Sequence, residues 1–267
     1  MIVRFLLVNV STFWLGVGLV VVTVGLSALG LAVIRWRVPP SRLVKYQDVA
    51  GFVIAVVGVI YAVLLAFVVV IVWEDFGSAD TTASNEAVAV GNLYRDAIGV
   101  GGAPGTRLQS AVRTYATSVV ETEWPYMAVH QAGSSETEYE LNQVWADVKA
   151  LRVQPTSTVQ ADFADQAIRD VSTATEARHA RLLQSQSQIP STLWVVLLVG
   201  AFITITFTYF FALDSLGHQM LMVSALATLI ALSLLVILTL NLPFTGDVSV
   251  GPEAMHTELQ SFTPTMF

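Results

Sequence analysis

The sequence predicts an all-α membrane protein, with four transmembrane helices in two pairs and a helical extramembrane domain between helices 2 and 3. Three observations carry this reading. Four apolar runs, Phe5–Ile34, Gly51–Trp73, Ser191–Leu213 and Gly217–Leu240, contain no Asp, Glu, Lys or Arg. Each exceeds the roughly 20 residues a helix needs to cross a hydrocarbon core. With 54% hydrophobic and 12% charged residues, the composition lies outside the ordinary soluble classes. The polar residues gather in one segment, Glu74–Pro190, between the pairs. Inside a bilayer every backbone polar group must be satisfied within its own segment, so the runs are helices. The implied divisions are 1–73, 74–190, 191–240 and 241–267.

The first run is too long for a signal-peptide core and shows no cleavage site, so it reads as a retained anchor. After it come Arg35, Arg37, Arg42 and Lys45, four of the chain's thirteen basic residues. Short loops rich in Lys and Arg stay in the cytoplasm. That places the N-terminus, the helical domain and the C-terminus outside, which fits a tail whose charges are Asp247, Glu253 and Glu258.

The second span has no Gly or Pro between Val59 and Trp73, and Ala87, Val90, Leu93, Tyr94 and Ala97 keep helical spacing beyond it. This predicts a helix that runs on past the bilayer. Gly99–Gly105, the densest Gly/Pro cluster, breaks it. A helix over about 106–130 follows, with Pro125 kinking or ending it. Ser135 and Glu138 form a capping-box pattern for the next, reaching about Leu151. Pro155, Thr156 and Ser157 start a long helix whose apolar or small positions are Phe163, Ala167, Val171 and Ala174. It is expected to lead through Gln188 straight into the third span. The segment holds eight basic and fifteen acidic residues, a net −7 that equals the charge of the whole chain. After the fourth span, Asn241–Asp247 leaves the membrane at a Pro and a Gly. It reads either as a surface strap or as a segment that tucks Phe244 against the domain.

Several local sequences resemble the bestrophin-like domain family. They are Val49–Val70 with Trp73-Glu-Asp-Phe, Ala83-Ser-Asn-Glu-Ala87 and Leu93-Tyr-Arg95, then Ala177-Arg-His-Ala-Arg-Leu182 leading to Ile189-Pro-Ser-Thr-Leu-Trp194, and finally Leu242–Val250 with Pro252. The match spans nearly the whole chain. It implies a bacterial inner-membrane protein with the two–domain–two order of bestrophins, which are pentameric anion channels. It also implies a cytosolic domain, opposite to the orientation that the Arg35–Lys45 link predicts.

In the second span Gly51, Ala55, Gly58, Ala62 and Ala66 put small residues on one helix face. Close helix packing explains such a stripe. The resemblance adds a second reading, in which the second helices surround an axis and these residues line a narrow apolar pore that gates by dewetting. Asp48, Glu74, Asp75 and Asp214 stand at span ends, where carboxylates ringing a pore mouth would favour cations. The permeating ion, chloride or cation, stays open. Thr204 and Thr208 share a face of the third span and are read as bonding to carbonyls one turn back.

Catalytic readings find little support. With zero cysteines there is no thiolate nucleophile, and the four histidines show no metal-ligand spacing. Gly99–Gly105 lacks the Lys-Ser/Thr of a phosphate loop. An acidic domain does not suit nucleic acid. No catalytic residue, metal or cofactor is expected. The leading expectation is a homo-oligomeric ion channel in the lipid bilayer. The alternative is a non-conducting assembly or sensing module whose helical domain binds a partner.

Overall fold

The computed structural model describes residues 2–39, 47–151, 157–211 and 215–262. The described residues form ten α-helices, in a four-helix membrane layer and a helical domain. Helix α1 (Ile2–Asn9) precedes α2 (Thr12–Arg37), the first span. The first apolar run is therefore not one helix. It breaks at Ser11, where the Asp247 carboxylate accepts from the Thr12 amide at 2.8 Å and satisfies an orphan donor of α2. Arg4 Nη1 donates to Gln131 Oε1 at 2.8 Å, which ties α1 to the domain.

Helix α3 (Gln47–Val100) runs 54 residues without interruption. At 1.5 Å per residue it is about 80 Å long, so it crosses the membrane and continues as the spine of the domain. Gly101 and Gly102, at φ 66° and 59°, end it in a conformation that suits glycine. The return into α4 (Gly102–Ser118) is so tight that a Cβ at Gly105 would stand 2.4 Å from the Ala97 carbonyl oxygen. We therefore expect Gly105→Ala to cost about 1–3 kcal/mol, seen as a lowered thermal midpoint of the purified protein.

The helix predicted over about 106–130 bends where Pro125 requires it. Pro125 has no amide hydrogen to give the preceding turn, and Val119–Glu123 widens into one π-helical turn before α5 (Trp124–His130). The widening leaves Glu123 fully buried. In α6 (Ser135–Leu151) the cap is Ser134, whose hydroxyl accepts from the Glu136 amide at 3.2 Å. Glu138, predicted to reach back to Ser135, pairs with Arg178 instead.

Helix α7 (Thr158–Gln186) is capped by Ser157, which accepts from the Gln160 amide at 3.2 Å. It returns along the outer half of α3. Their shared core sets Ala79, Ala83, Ala87, Val90, Leu93 and Ala97 against Ala164, Ala167, Val171 and Ala174. Alanines on both sides allow a close approach. The helix stops at Gln186, so the expected passage into the membrane is not continuous. Ser187–Pro190 is extended, and the Ile189 amide donates to Asn241 Oδ1 at 2.8 Å.

Helices α8 (Ser191–Thr208) and α9 (Leu216–Leu240) complete the membrane layer. The end of the third apolar run, Ala212–Leu213, lies outside the described residues. Gly200 lets Tyr61 of α3 lie against α8, where a Cβ would meet the ring at 2.5 Å. Thr204 and Thr208 donate to the carbonyls of Gly200 and Ile205, at 2.8 and 2.6 Å. Their hydroxyls serve their own helix.

The tail is part of the core. Phe244 meets Trp124 edge-on at 6.0 Å, and Thr245 donates to the Ala128 carbonyl at 3.0 Å. Trp124 Nε1 donates to the Val250 carbonyl at 3.1 Å. Beyond it α10 (Glu253–Ser261) lies on α3, and Phe262 stacks on Tyr94 at 4.0 Å.

Candidate functional site

Two features of α3 define the site: a face that meets no other part of its own subunit, and a buried ion cluster that holds the helix in place. In the bilayer, α3 turns Tyr61, Val68 and Val72 toward α8 and α9. The small residues lie elsewhere. Ala55, Ala62 and Ala66 are exposed, and a Cβ added to Gly58 would meet nothing within 4 Å. Gly51 differs, because its added Cβ would touch the Phe211 ring at 3.5 Å. Packing within the subunit thus accounts for Gly51 but not for the other four. Gly58, Ala62 and Ala66 border an open apolar groove of ≈ 540 Å³, whose far wall includes Thr204, Leu229 and Ser233. Small residues that do pack helix on helix include Gly200 of α8 and the fully buried Ala227 and Ala231 of α9.

Of the span-end carboxylates, Glu74 and Asp75 are described, and Asp75 points away from the small-residue face. Asp214 and the Asp48 side chain lie outside the described residues. Glu74 and Asp75 are both exposed. Nine residues, about two and a half turns, separate Asp75 from Ala66, so the two point to opposite sides of α3. Asp75 lines a small cavity with Ser78, Gln184, Asn241, Val72 and Leu240, at the junction of α3, α7 and α9. Glu74 borders an apolar groove beside Trp73. Asp80, which the sequence reading passed over, is exposed and stands eighteen residues, about five full turns, beyond Ala62. It continues the small-residue face into the domain. Helical arithmetic on an unbroken α3 is the signal that finds it.

The ion cluster lies where α3, α7 and the π-turn meet. Arg181 is fully buried and spans two carboxylates. Its Nε donates to Glu86 Oε2 at 2.6 Å and its Nη2 to Glu123 Oε1 at 2.7 Å. The guanidinium also lies over the Trp124 ring, 4.4 Å from its centre. Arg178 Nη2 donates to Glu123 Oε2 at 2.6 Å and its Nη1 to Glu138 at the rim. Tyr115 donates to Glu86 Oε1 at 2.9 Å. Two buried cations thus face two buried anions.

Burial alone would raise the Glu123 carboxyl, but its bonds to Arg178 and the charges of both arginines hold it below its usual range. Burial likewise works against the arginines, and the facing carboxylates raise both above their ordinary value. Tyr115 is pushed up, first by burial and then by the Glu86 charge. A neutral cluster of this kind fixes one relative position of its helices more than it adds net stability. Among the described residues, no three His, Cys, Asp or Glu side chains converge to hold a metal.

A family model described as the bestrophin-like domain matches residues 21–255. A bacterial bestrophin homologue from Klebsiella pneumoniae, solved as a single-residue variant, superposes with a TM-score of 0.68 at 13% identity. That match covers 92% of this chain and 98% of the other. A second variant of the homologue gives 0.66 at 14%, covering 92% and 99%. A crystal structure described as a membrane protein gives 0.67 at 14%, with the same coverage. At this identity the likeness establishes the fold. No curated protein matches the sequence.

Proposed function

The chain belongs to the bestrophin-like domain family, and on that premise we propose that it assembles as a homo-oligomer, a pentamer by resemblance, and conducts ions along an axis lined by α3. The observation that carries this reading is the unpartnered small-residue face of α3. Ala55, Ala62 and Ala66 are exposed and Gly58 has open space before it, whereas Gly16, Gly30 and Gly200 in the other spans are closely packed and Gly18 and Gly25 of α2 are open. Brought around an axis, this face makes a narrow wall without charges. Such a wall conducts when wetted and closes when dry, so gating needs only a small change of radius. No bond is made or broken. The same face leads to Asp80, with Glu74 on its flank. Carboxylates at the mouth favour cations, and Asp48 and Asp214 add to this at the opposite end.

The membrane is the bacterial inner membrane in this reading. Arg35 and Arg37, in the last turn of α2, keep the link to α3 in the cytoplasm and the helical domain outside. The chain has no cysteine, so one thiol reports the orientation. Ser135→Cys, at an exposed position, should react with an impermeant maleimide on intact cells. Labelling that appears only after lysis would reverse the orientation.

The test of conduction is current through planar bilayers holding the purified oligomer under a KCl gradient. A steady current reversing toward the potassium potential is expected, and Asp80→Asn should move the reversal toward zero. Reversal at the chloride potential would overturn the role given to the carboxylates. A sealed, oriented oligomer that passes no current would favour a partner-binding assembly.

A further inference from the structure

The small cavity where α3, α7 and α9 meet holds acceptors that its own side chains leave unmatched. The Asp75 carboxylate takes part in no hydrogen bond or ion pair among the described residues. Gln184 Nε2 donates to Ser78 Oγ at 3.1 Å. With its amide nitrogen engaged there, Gln184 Oε1 stays enclosed and meets no donor. A buried acceptor left without a partner costs free energy, so the amide oxygen and the carboxylate beside it both call for positive charge.

The backbone adds to that demand. Helix α7 ends at Gln186 and α9 at Leu240. Both ends border the cavity, through Gln184 and Ser187 on one side and Leu240 and Asn241 on the other. A helix C-terminus carries about half a negative charge, on carbonyls that have no partner within the helix. Two such ends converge beside one carboxylate. None of the described residues that line the cavity is basic. Arg181, one turn before Gln184, is committed to Glu86 and Glu123.

We propose that this cavity binds one alkali metal cation, held by the Asp75 carboxylate, Ser78 Oγ and Gln184 Oε1. The donor set selects the class of ion. Oxygen ligands suit hard cations. One carboxylate among neutral oxygens balances a single positive charge, whereas calcium gathers more oxygens and more carboxylates. Among the described residues no three His, Cys, Asp or Glu side chains converge there or elsewhere. The free space of ≈ 50 Å³ admits an ion with a water or two and excludes an organic cation. Asp75 is exposed, which gives the ion its way in from solution.

The bound ion ties together α3, the end of α7 and the start of the tail, where the membrane layer meets the helical domain. Asn241 also accepts from the Ile189 amide at 2.8 Å, which fixes the extended link at the rim of the same cavity. Since Asp75 and Ala66 point to opposite sides of α3, the ion sits behind the proposed pore wall and not in the conduction path. That last relation rests on the channel reading. The ion site does not.

The experiment uses the purified full-length protein and reads its thermal midpoint in sodium, potassium or choline chloride at one ionic strength. Choline is too large for the cavity and serves as the reference. At about 0.2 M, sodium or potassium should raise the midpoint by roughly 2–5 °C over choline, with a response that saturates. Asp75→Asn and Gln184→Leu should each remove the difference, while Glu136→Gln, at an exposed position of α6, should keep it. Equal midpoints of the native protein in all three salts would overturn the proposal, whatever the variants do. A full response in Asp75→Asn would also overturn it, because the ion then binds elsewhere. So would a rise that micromolar calcium produces in choline chloride and neither alkali ion produces. No readout requires current, so a silent channel leaves the site testable, and a missing site leaves the channel reading in place.

Discussion

Arg181→Met is expected to destabilise the helical domain by roughly 3–5 kcal/mol, because it leaves the buried Glu86 and Glu123 without their shared cation. Methionine roughly keeps the volume, so the loss isolates the charge and its hydrogen bonds. Arg181→Lys should recover little of it. A lysine brings one charge, but it cannot reach Glu86 and Glu123 with separate forks or lie flat over Trp124. Replacing Glu86 by Gln together with Arg181 by Met should cost less than Arg181→Met alone, since the pair acts as a unit.

The pH dependence has a definite sign. Glu123 is held below its ordinary value of 4.5 in the native fold, so its contribution is present at neutral pH and is lost as the solution becomes more acidic than that value. The gap between native protein and Arg181→Met should therefore narrow in acid. Thermal midpoints of the two proteins across pH provide the check. Equal midpoints at neutral pH would show that the cluster does not hold α3 and α7 together.

Ala62→Trp is expected to lower conductance by on the order of tenfold or more while the oligomer still forms, because an indole at the narrow wall of an apolar pore obstructs the path. Ala62 is exposed in the subunit, so the larger side chain meets no steric conflict there. The size of the particle, measured beside the current, separates two outcomes. A current lost from an intact oligomer supports the pore wall. A current lost together with the oligomer identifies the face as a packing surface between subunits.

Much of the architecture could be read from the sequence because lipid imposes a severe rule: charge-free runs of sufficient length must be helices. The continuation of α3 was also legible, since Ala87, Val90 and Leu93 keep the spacing that begins in the span. Pro125 and the Gly99–Gly105 cluster marked the two breaks because each acts on its own backbone. What could not be read depends on contacts distant in sequence. Arg181 lies 95 residues from Glu86 and 58 from Glu123, and no local pattern joins them. One signal was present: Ala167, Val171, Ala174, Arg178, Arg181 and Ser185 step by four and three along α7, so the arginines continue its buried stripe.

The break at Ser11 was hidden for a similar reason. It is stabilised by Asp247, from the other end of the chain. The capping-box pattern at Ser135 located the helix Ser135–Leu151 but not its cap, because Glu138 finds a stronger partner in Arg178. Within the candidate site, the stripe of small residues could be read as a face. Its lack of partners within the subunit, and the opposite direction of Asp75, required the packed helices.

In the proposed channel the small-residue face of α3 lines water. The most direct measurement uses Ala62→Cys, which carries a single thiol in a chain that has no other cysteine. A charged, water-soluble thiol reagent reacts with a thiolate in water and not with a thiol buried against lipid or another helix. Applied to reconstituted protein carrying current, the reagent should modify the residue and reduce the current, while Phe202→Cys on the outer face of α8 stays unmodified. A conducting oligomer whose Cys variant at Ala62 remains unreactive would contradict the account.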